Sequence, residues 1–169
     1  MPFFSIVIPS YGNVDYLPAC LDSLIGQSFE DWEAVVVDDC SNDGSVEVLN
    51  DYAERDSRIV LMPSNQGLHR ARKSGVEKVA GKFIAFLDPD DEFENDALYR
   101  IKEALENEDA DMLHFGIDVV SFGVPEGQRS SFESYVNKPC SILREFPLAR
   151  VLAISKTGGL LRESIRLNW

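Results

Sequence analysis

Three aspartates lie within four residues in the segment Asp88-Pro89-Asp90-Asp91, directly after the apolar run FIAFL. Carboxylates held this close repel one another, and the end of a buried strand offers little solvent to screen that repulsion. A hard divalent cation such as Mg²⁺ or Mn²⁺ would turn this cost into affinity, because hard cations select oxygen ligands. The alternative is a solvated acidic turn in which an aspartate caps the next helix. The segment predicts one of these two roles.

Polar clusters follow three other apolar runs. These clusters are Pro9-Ser10-Tyr11, Asp38-Asp39, and Asn65-Gln66-Gly67 leading into Arg70 and Arg72. One aspartate of the pair can accept a hydrogen bond from the imide N–H of uracil or thymine, or cap the turn-rich segment after it. Tyr11 can stack on a base or pack beside the first strand. The two arginines favour an anion at a helix start, or belong to a solvated helical face.

The elements that position these clusters are short apolar runs alternating with helical periodicity. Predicted strands cover residues 4–9, 32–39, 58–62, 82–87 and 111–120. The helices between them have Pro18 in the first turn of the first, Gly81 as the C-terminal cap of the third and Asn95 as the cap of the fourth. This alternation predicts an α/β fold with a mostly parallel sheet, whose ligands bind outside the carboxyl ends of the strands. The four clusters should therefore meet at one edge.

The pattern weakens after residue 120. Residues 140–154 have apolar residues at helical spacing, and the residues after 154 fit no clear element. We therefore predict an organised core at residues 1–120 and a separate segment at 121–169.

Composition excludes several classes of function. The net charge of -13 argues against nucleic acid as a partner, because a phosphate backbone is held by clustered Lys and Arg. The three cysteines are expected to be reduced thiols, and His69 and His114 have no zinc-ligand spacing. No phosphate loop, dinucleotide fingerprint or nucleophile elbow occurs in the sequence. With no run of 18 apolar residues, we expect a cytoplasmic location, with peripheral association at the inner face of a membrane as a variant.

Three segments, taken in order, resemble the family 2 glycosyltransferases, which have the GT-A fold, a Rossmann-like sheet flanked by helices. They are SIVIPSYGNVDYLPACLDSLIGQSFEDWEAVVVDDCSNDGS, SNQGLHRARKSG and AGKFIAFLDPDD. The resemblance covers roughly residues 3 to 120. It implies inverting transfer of a hexose or related sugar from a nucleoside-diphosphate sugar, commonly UDP-linked, to a saccharide or lipid-linked acceptor, in cell-wall or polysaccharide biosynthesis.

The resemblance also implies roles for individual residues. Donor-binding residues by this analogy are Pro9, Tyr11, Asp39, Arg72 and Asp88. Pro9 and Tyr11 would line the nucleoside pocket, and Asp39 would accept from the base. Asp88 and Asp90 would hold Mn²⁺ or Mg²⁺, a Lewis acid that neutralises charge on the leaving diphosphate, with Asp90 as the direct ligand.

The sequence departs from the family pattern at several positions. Gly12 stands before Asn13, Cys40 replaces a common glycine and Lys73 replaces a common asparagine. The family usually continues into an acceptor-binding part with a catalytic carboxylate. Here the candidate bases are Glu126, Glu133, Glu145 and Glu163, in no recognisable context, and the catalytic base is unassigned. The resulting expectation is a shortened chain whose acceptor part is incomplete or absent. An incomplete domain often needs a partner surface, such as that of a homo-oligomer, to cover exposed apolar area, and the oligomeric state is left open.

Two other functions fit parts of the pattern. A non-catalytic nucleotide-binding remnant would keep the pocket and lose the transfer step. A receiver-type signalling domain also places acidic residues around Mg²⁺ at strand ends, and Lys156 resembles its strand-end lysine. Its acidic pair should follow the first strand, however, whereas Asp38 and Asp39 follow the second.

Overall fold

A computed structural model describes residues 1–63 and 67–108, apart from the side chains of residues 68, 69 and 108, and the backbone of three later strands. The strands are β1 (Phe4–Ser10), β2 (Trp32–Asp38), β3 (Ile59–Pro63), β4 (Phe83–Phe86), β5 (Met112–His114), β6 (Ser141–Leu143) and β7 (Val151–Ala153). The helices are α1 (Leu17–Ile25), α2 (Ser45–Arg55), α3 (Leu68–Val76) and α4 (Ala97–Glu108). None of these helices is both long enough and apolar enough to cross a membrane.

The main sheet runs in the order β3-β2-β1-β4-β7, and each of its neighbouring pairs is parallel. β1 lies at its centre, with Phe4 opposite Trp32 and Ser10 opposite Asp38. β5 and β6 form a separate antiparallel pair. The predicted α/β fold with a mostly parallel sheet is confirmed.

Helices cover both faces of the sheet, so β1 is buried at every position. On one face Phe4, Ile6 and Ile8 join the larger core with the apolar sides of α1, α2 and α4. On the other face α3 packs closely: a Cβ atom on Gly75 would lie 2.5 Å from Val7 Cγ1. Because period-2 alternation sends successive β1 side chains to opposite faces, both cores depend on this strand.

Three local predictions were wrong. The third helix ends at Val76 with Glu77 as its C-cap, whereas Gly81 lies where a Cβ would come within 2.5 Å of Ser5 Oγ. That glycine serves close packing against β1. The fourth helix begins at Ala97, so Asn95 does not precede it directly. The predicted helical segment 140–154 contains β6 and β7, and β7 pairs with β4, a tertiary contact that its weak periodicity did not indicate.

Pro9 marks the point where β1 and β4 part. Val7 accepts the last hydrogen bond of that ladder, from the Leu87 N–H at 3.1 Å. In a parallel strand the backbone groups of every second residue face the same neighbour, so residue 9, like Val7, faces β4. Proline has no N–H, so it cannot donate the next hydrogen bond of the ladder. β4 therefore leaves the sheet one residue before the acidic turn, while β1 and β2 remain paired to Ser10 and Asp38.

Candidate functional site

The predicted clusters meet at one edge of the sheet. Tyr11 follows β1, Asp39 follows β2, the acidic turn of residues 88–91 follows β4, and α3 begins at the same edge after Gly67. Contacts cross between these elements: the Asp39 carboxylate accepts the Gly67 N–H at 2.9 and 3.1 Å, and Arg72 reaches Asp88. The edge is thus a joined set of loops.

The two aspartates after β2 have different partners. Asp38 caps its own turn, accepting hydrogen bonds from the N–H of Ser41 at 2.9 Å and its hydroxyl at 2.6 Å. Asp39 reaches across to Gly67 at the start of α3, where a carboxylate is stabilised by the helix dipole. Each carboxylate oxygen has two lone pairs, so Asp39 can still accept from another donor. Of this pair, only Asp39 points away from its own turn.

Arg72 and Asp88 form an ion pair between α3 and the acidic turn. Arg72 Nη2 lies 2.7 Å from Asp88 Oδ1, with the side chains 22% and 21% exposed. Arg72 Nε is buried and has no hydrogen-bond partner within the described part of the chain. Arg72 and Asp88 were each predicted to bind the donor, with no contact predicted between them, and the structure shows that they form an ion pair.

The acidic turn is ordered by its own backbone and by α1. The Asp91 N–H donates to the Asp88 carbonyl at 2.9 Å, and Asp91 is only 2% exposed, whereas Asp90 is half-buried. Cys20 lies beneath the turn, with its Sγ 3.7 Å from the Asp88 carbonyl oxygen. Burial, followed by the charges of Asp91 and Asp90, raises the pKa of the Cys20 thiol well above its usual value. The thiol stays protonated and can donate to that carbonyl.

The loops after β1 and β2 are fastened to each other. Gly12, at a φ of 66°, donates its N–H to Ser41 Oγ, and the Val14 N–H donates to the Asp43 carboxylate. The Ser45 hydroxyl, assisted by the Val14 and Ser45 N–H groups, lowers the pKa of Asp43. Tyr11 remains 64% exposed, so it does not have the half-buried packing considered as its alternative role.

Cys40 is the only non-glycine residue with a positive φ among the described residues, at 62°. A positive φ is a backbone conformation that glycine adopts without strain, which agrees with the glycine expected here from the family resemblance. A side chain in the left-handed region costs about 1–2 kcal/mol, while glycine loses about 0.5–1 kcal/mol more backbone entropy on folding.

The free energy of unfolding of Cys40→Gly is therefore expected to exceed that of Cys40→Ala by up to about 1 kcal/mol. The alanine variant keeps the backbone strain but lacks the thiol, so the comparison isolates the strain. Urea denaturation of both variants and the wild-type protein measures the difference. A glycine variant less stable than the alanine variant would contradict this account of the loop.

The donor set suits a cation that keeps positions for other ligands. Within residues 1–63 and 67–108, no three or more His, Cys, Asp or Glu side chains are grouped to hold a metal on their own. Mg²⁺ and Mn²⁺ at phosphate sites are usually held by one or two carboxylates together with substrate oxygens. Asp90 is half-buried, and Asp88 has one oxygen engaged by Arg72, so these residues fit a cation of that kind.

Several candidates lie outside the described residues. These are Asn65, Gln66, the side chains of His69 and His114, Lys156, and the candidate bases Glu126, Glu133, Glu145 and Glu163. The roles assigned to them remain sequence predictions.

Sequence reasoning missed two residues that contact the segment after the acidic turn, Ser23 in α1 and Gln27 just after α1. Ser23 Oγ accepts the Phe93 N–H at 3.0 Å, and the Gln27 side chain makes three hydrogen bonds, two of them to Glu94 and Leu98. The available signal was their spacing: residues 20, 23 and 27 share one face of a helix, and two of them are polar within an apolar stripe.

Comparison with known proteins assigns the chain to a family. The sequence model of the family described as "Glycosyl transferase family 2" matches residues 5–164. The chain belongs to this family. The glycosyltransferase TuaG of Bacillus subtilis is 39% identical over 99 residues, which are 57% of this chain and 39% of TuaG. The poly(ribitol-phosphate) beta-glucosyltransferase of Bacillus spizizenii is 40% identical over 101 residues, or 57% of this chain and 16% of that protein.

Solved structures agree with the fold. S. aureus TarS 1-349 in complex with UDP has a TM-score of 0.66 and 26% identity, and covers 73% of this chain and 38% of that one. The predicted GT-A fold is confirmed. This chain spans two fifths or less of the first curated relatives it matches, at 39%, 34% and 40% of their lengths.

Proposed function

We propose that this glycosyltransferase family 2 chain binds a UDP-linked sugar at the edge formed by Tyr11, Asp39, Arg72 and the acidic turn, for metal-dependent, inverting transfer to a saccharide or lipid-linked acceptor. The observation that carries the proposal is the convergence of these groups from three strand ends and one helix start. TarS, a neighbour of 26% identity, is solved with UDP and with UDP-GlcNAc, which supports a uridine donor.

Each part of a nucleotide sugar has a chemical counterpart at this edge. Tyr11 offers an exposed aromatic face to the base, and Asp39 has acceptor capacity for the imide N–H. Pro9, where the β1–β4 ladder ends, would line the nucleoside pocket. Arg72 and the start of α3 provide cationic groups and N–H dipoles for the diphosphate.

A divalent cation held by Asp90, with Asp88, would supply Lewis-acid stabilisation of the charge on the leaving diphosphate. The protein's own residues have distinct tasks. Arg72 holds Asp88 toward the diphosphate, and Asp39 orients the base through its anchored position against Gly67. Inversion requires a general base on the far side of the sugar, and this role remains unassigned.

The test is calorimetric titration of the full chain with UDP in MnCl₂ and in EDTA, with CDP as the control nucleotide. We expect UDP to bind at least about tenfold more tightly with Mn²⁺ than in EDTA, and more tightly than CDP, because cytosine N3 carries no hydrogen to donate to the Asp39 carboxylate. Equal affinities with and without metal would refute metal dependence, and CDP binding as tightly as UDP would refute recognition of the uracil imide by Asp39.

Donor turnover distinguishes the transferase from a nucleotide-binding remnant. With UDP-GlcNAc, Mn²⁺ and a panel of saccharide and lipid-linked acceptors, release of UDP that depends on an acceptor supports transfer. UDP binding without release under every condition would favour the remnant.

A further inference from the structure

Gln27 lies just past the end of α1 and is only 5% exposed. Its Nε2 group donates to the Ser23 carbonyl at 2.9 Å and the Glu94 carbonyl at 2.7 Å, and its Oε1 accepts the Leu98 N–H at 3.0 Å. Both amide donors and the amide oxygen are used, and only one orientation of the amide satisfies all three partners. A buried side chain used so completely holds its partners in one geometry.

The contact with Leu98 gives Gln27 a second task. Leu98 is the second residue of α4, so its N–H is one of those that no carbonyl within the helix can accept. Helices usually satisfy this group with a Ser, Thr, Asp or Asn immediately before them. Here the acceptor comes from a residue 71 positions earlier in the chain. Gln27 thus sets where α4 begins relative to α1.

The same face of α1 holds the acidic turn at its other end. Cys20 Sγ contacts the Asp88 carbonyl, and the Ser23 hydroxyl accepts the Phe93 N–H while donating to the Cys20 carbonyl at 2.7 Å. The stretch from Asp88 to Leu98 is therefore attached to α1 and its end at the first aspartate of the turn and at three positions after the aspartates, Phe93, Glu94 and Leu98.

We propose that Gln27 is a positioning residue for the acidic turn: by fastening Glu94 and the start of α4 to α1, it holds Asp90 where a phosphate-bound cation needs it. This inference rests on the proposed function for its consequence in binding. Gln27 itself contacts neither nucleotide nor metal. Because the loop after β1 is fastened through Gly12 to Ser41, and Asp39 is bonded to Gly67, loss of Gln27 should weaken only the metal-dependent part of nucleotide binding.

The test compares Gln27→Met, which removes all three hydrogen bonds at similar volume, with Gln27→Glu, which keeps an acceptor for Leu98 and loses both donors. The control is Tyr52→Phe. It removes the buried hydroxyl that donates to Asp22 at 2.8 Å on α1, away from the acidic turn. UDP affinity is measured with Mn²⁺ and with EDTA for each full-length variant, and amide hydrogen exchange is followed at Asp91, whose N–H closes the turn.

In Gln27→Met, the gain in UDP affinity on adding Mn²⁺ is expected to fall roughly tenfold, as for other residues that orient metal ligands. Affinity in EDTA should change less than about twofold, and the Asp91 amide should exchange faster than in Tyr52→Phe. Gln27→Glu sets a carboxylate against the Ser23 and Glu94 carbonyl oxygens in a buried site, so it should lose at least as much of the gain as Gln27→Met. Gln27→Asn, whose shorter amide cannot reach all three partners, replaces the methionine variant if that protein does not fold.

An unchanged Mn²⁺-dependent gain in the Gln27 variants would overturn the inference, as would an equal loss in Tyr52→Phe. If the wild-type chain shows no Mn²⁺-dependent gain in UDP affinity, the proposed function fails. Amide exchange at Asp91 then decides whether Gln27 holds the acidic turn. Faster exchange in the Gln27 variants alone supports their role in holding the turn, and equal protection in all variants overturns it.

Discussion

Asp90→Asn is expected to remove most of the gain in UDP affinity that Mn²⁺ gives, a loss of at least about tenfold in Mn²⁺, and to leave affinity in EDTA nearly unchanged. Asparagine keeps the shape of the side chain but lacks the charge that a hard cation selects. Within the turn, Asp91 is 2% exposed and Asp88 has an oxygen in the ion pair with Arg72. Asp90 is therefore the carboxylate best placed to be the direct ligand.

The measurement is calorimetric titration with UDP in MnCl₂ and in EDTA. Asp51→Asn is the matched control, because it makes the same charge change on α2, where the side chain is 65% exposed and pairs with Arg55. That variant should bind like the wild type. Retention of the full Mn²⁺-dependent gain in Asp90→Asn would remove Asp90 from the metal site.

Arg72→Met is expected to lower the free energy of unfolding by about 1–2 kcal/mol, because it leaves the Asp88 carboxylate, which is largely buried, without its cationic partner. Adding Asp88→Asn should lower the free energy of unfolding much less in the Arg72→Met background than in the wild type. The coupling energy between the two sites should be about 1 kcal/mol, since each single change already destroys the pair.

Urea denaturation of the four proteins in this double-mutant cycle measures the coupling. The matched control is the equivalent cycle with Arg55→Met and Asp51→Asn, an arginine–aspartate pair whose side chains are 55% and 65% exposed. Solvent screening should hold its coupling below about 0.5 kcal/mol. Equal coupling energies in the two cycles would show that burial does not strengthen the Arg72–Asp88 pair.

The positions of the first strands in the sequence were predictable, because buried parallel strands are continuous apolar runs. FSIVIP and WEAVVVDD are recognisable as strands from their composition, and β1 and β2 are observed there. Since parallel strands place their carboxyl ends at one edge, the convergence of Tyr11, Asp39 and the acidic turn also followed from local patterns. The end of the β1–β4 ladder is likewise local, because Pro9 lacks an N–H.

Where local signals were ambiguous or weak, prediction failed. Asn95 and Gly81 have residue types typical of helix caps, but α4 begins at Ala97 and Gly81 is required by a close approach to Ser5. Residues 151–153 form a strand because β4 offers an edge to pair with, a condition that apolar spacing within 140–154 does not reveal.

The sequence by itself thus determined four strands of the parallel sheet, β1 to β4, the edge at which chemistry is expected and the residue types available there. Tertiary structure decided which groups meet. It separated Asp38, which caps its own turn, from Asp39, which reaches Gly67, and it paired Arg72 with Asp88. It also used Gln27 to cap a helix 71 residues away. The apolar runs of buried strands can be recognised from a residue's immediate neighbours, whereas hydrogen bonds across 16 to 71 residues exist only after the chain has packed.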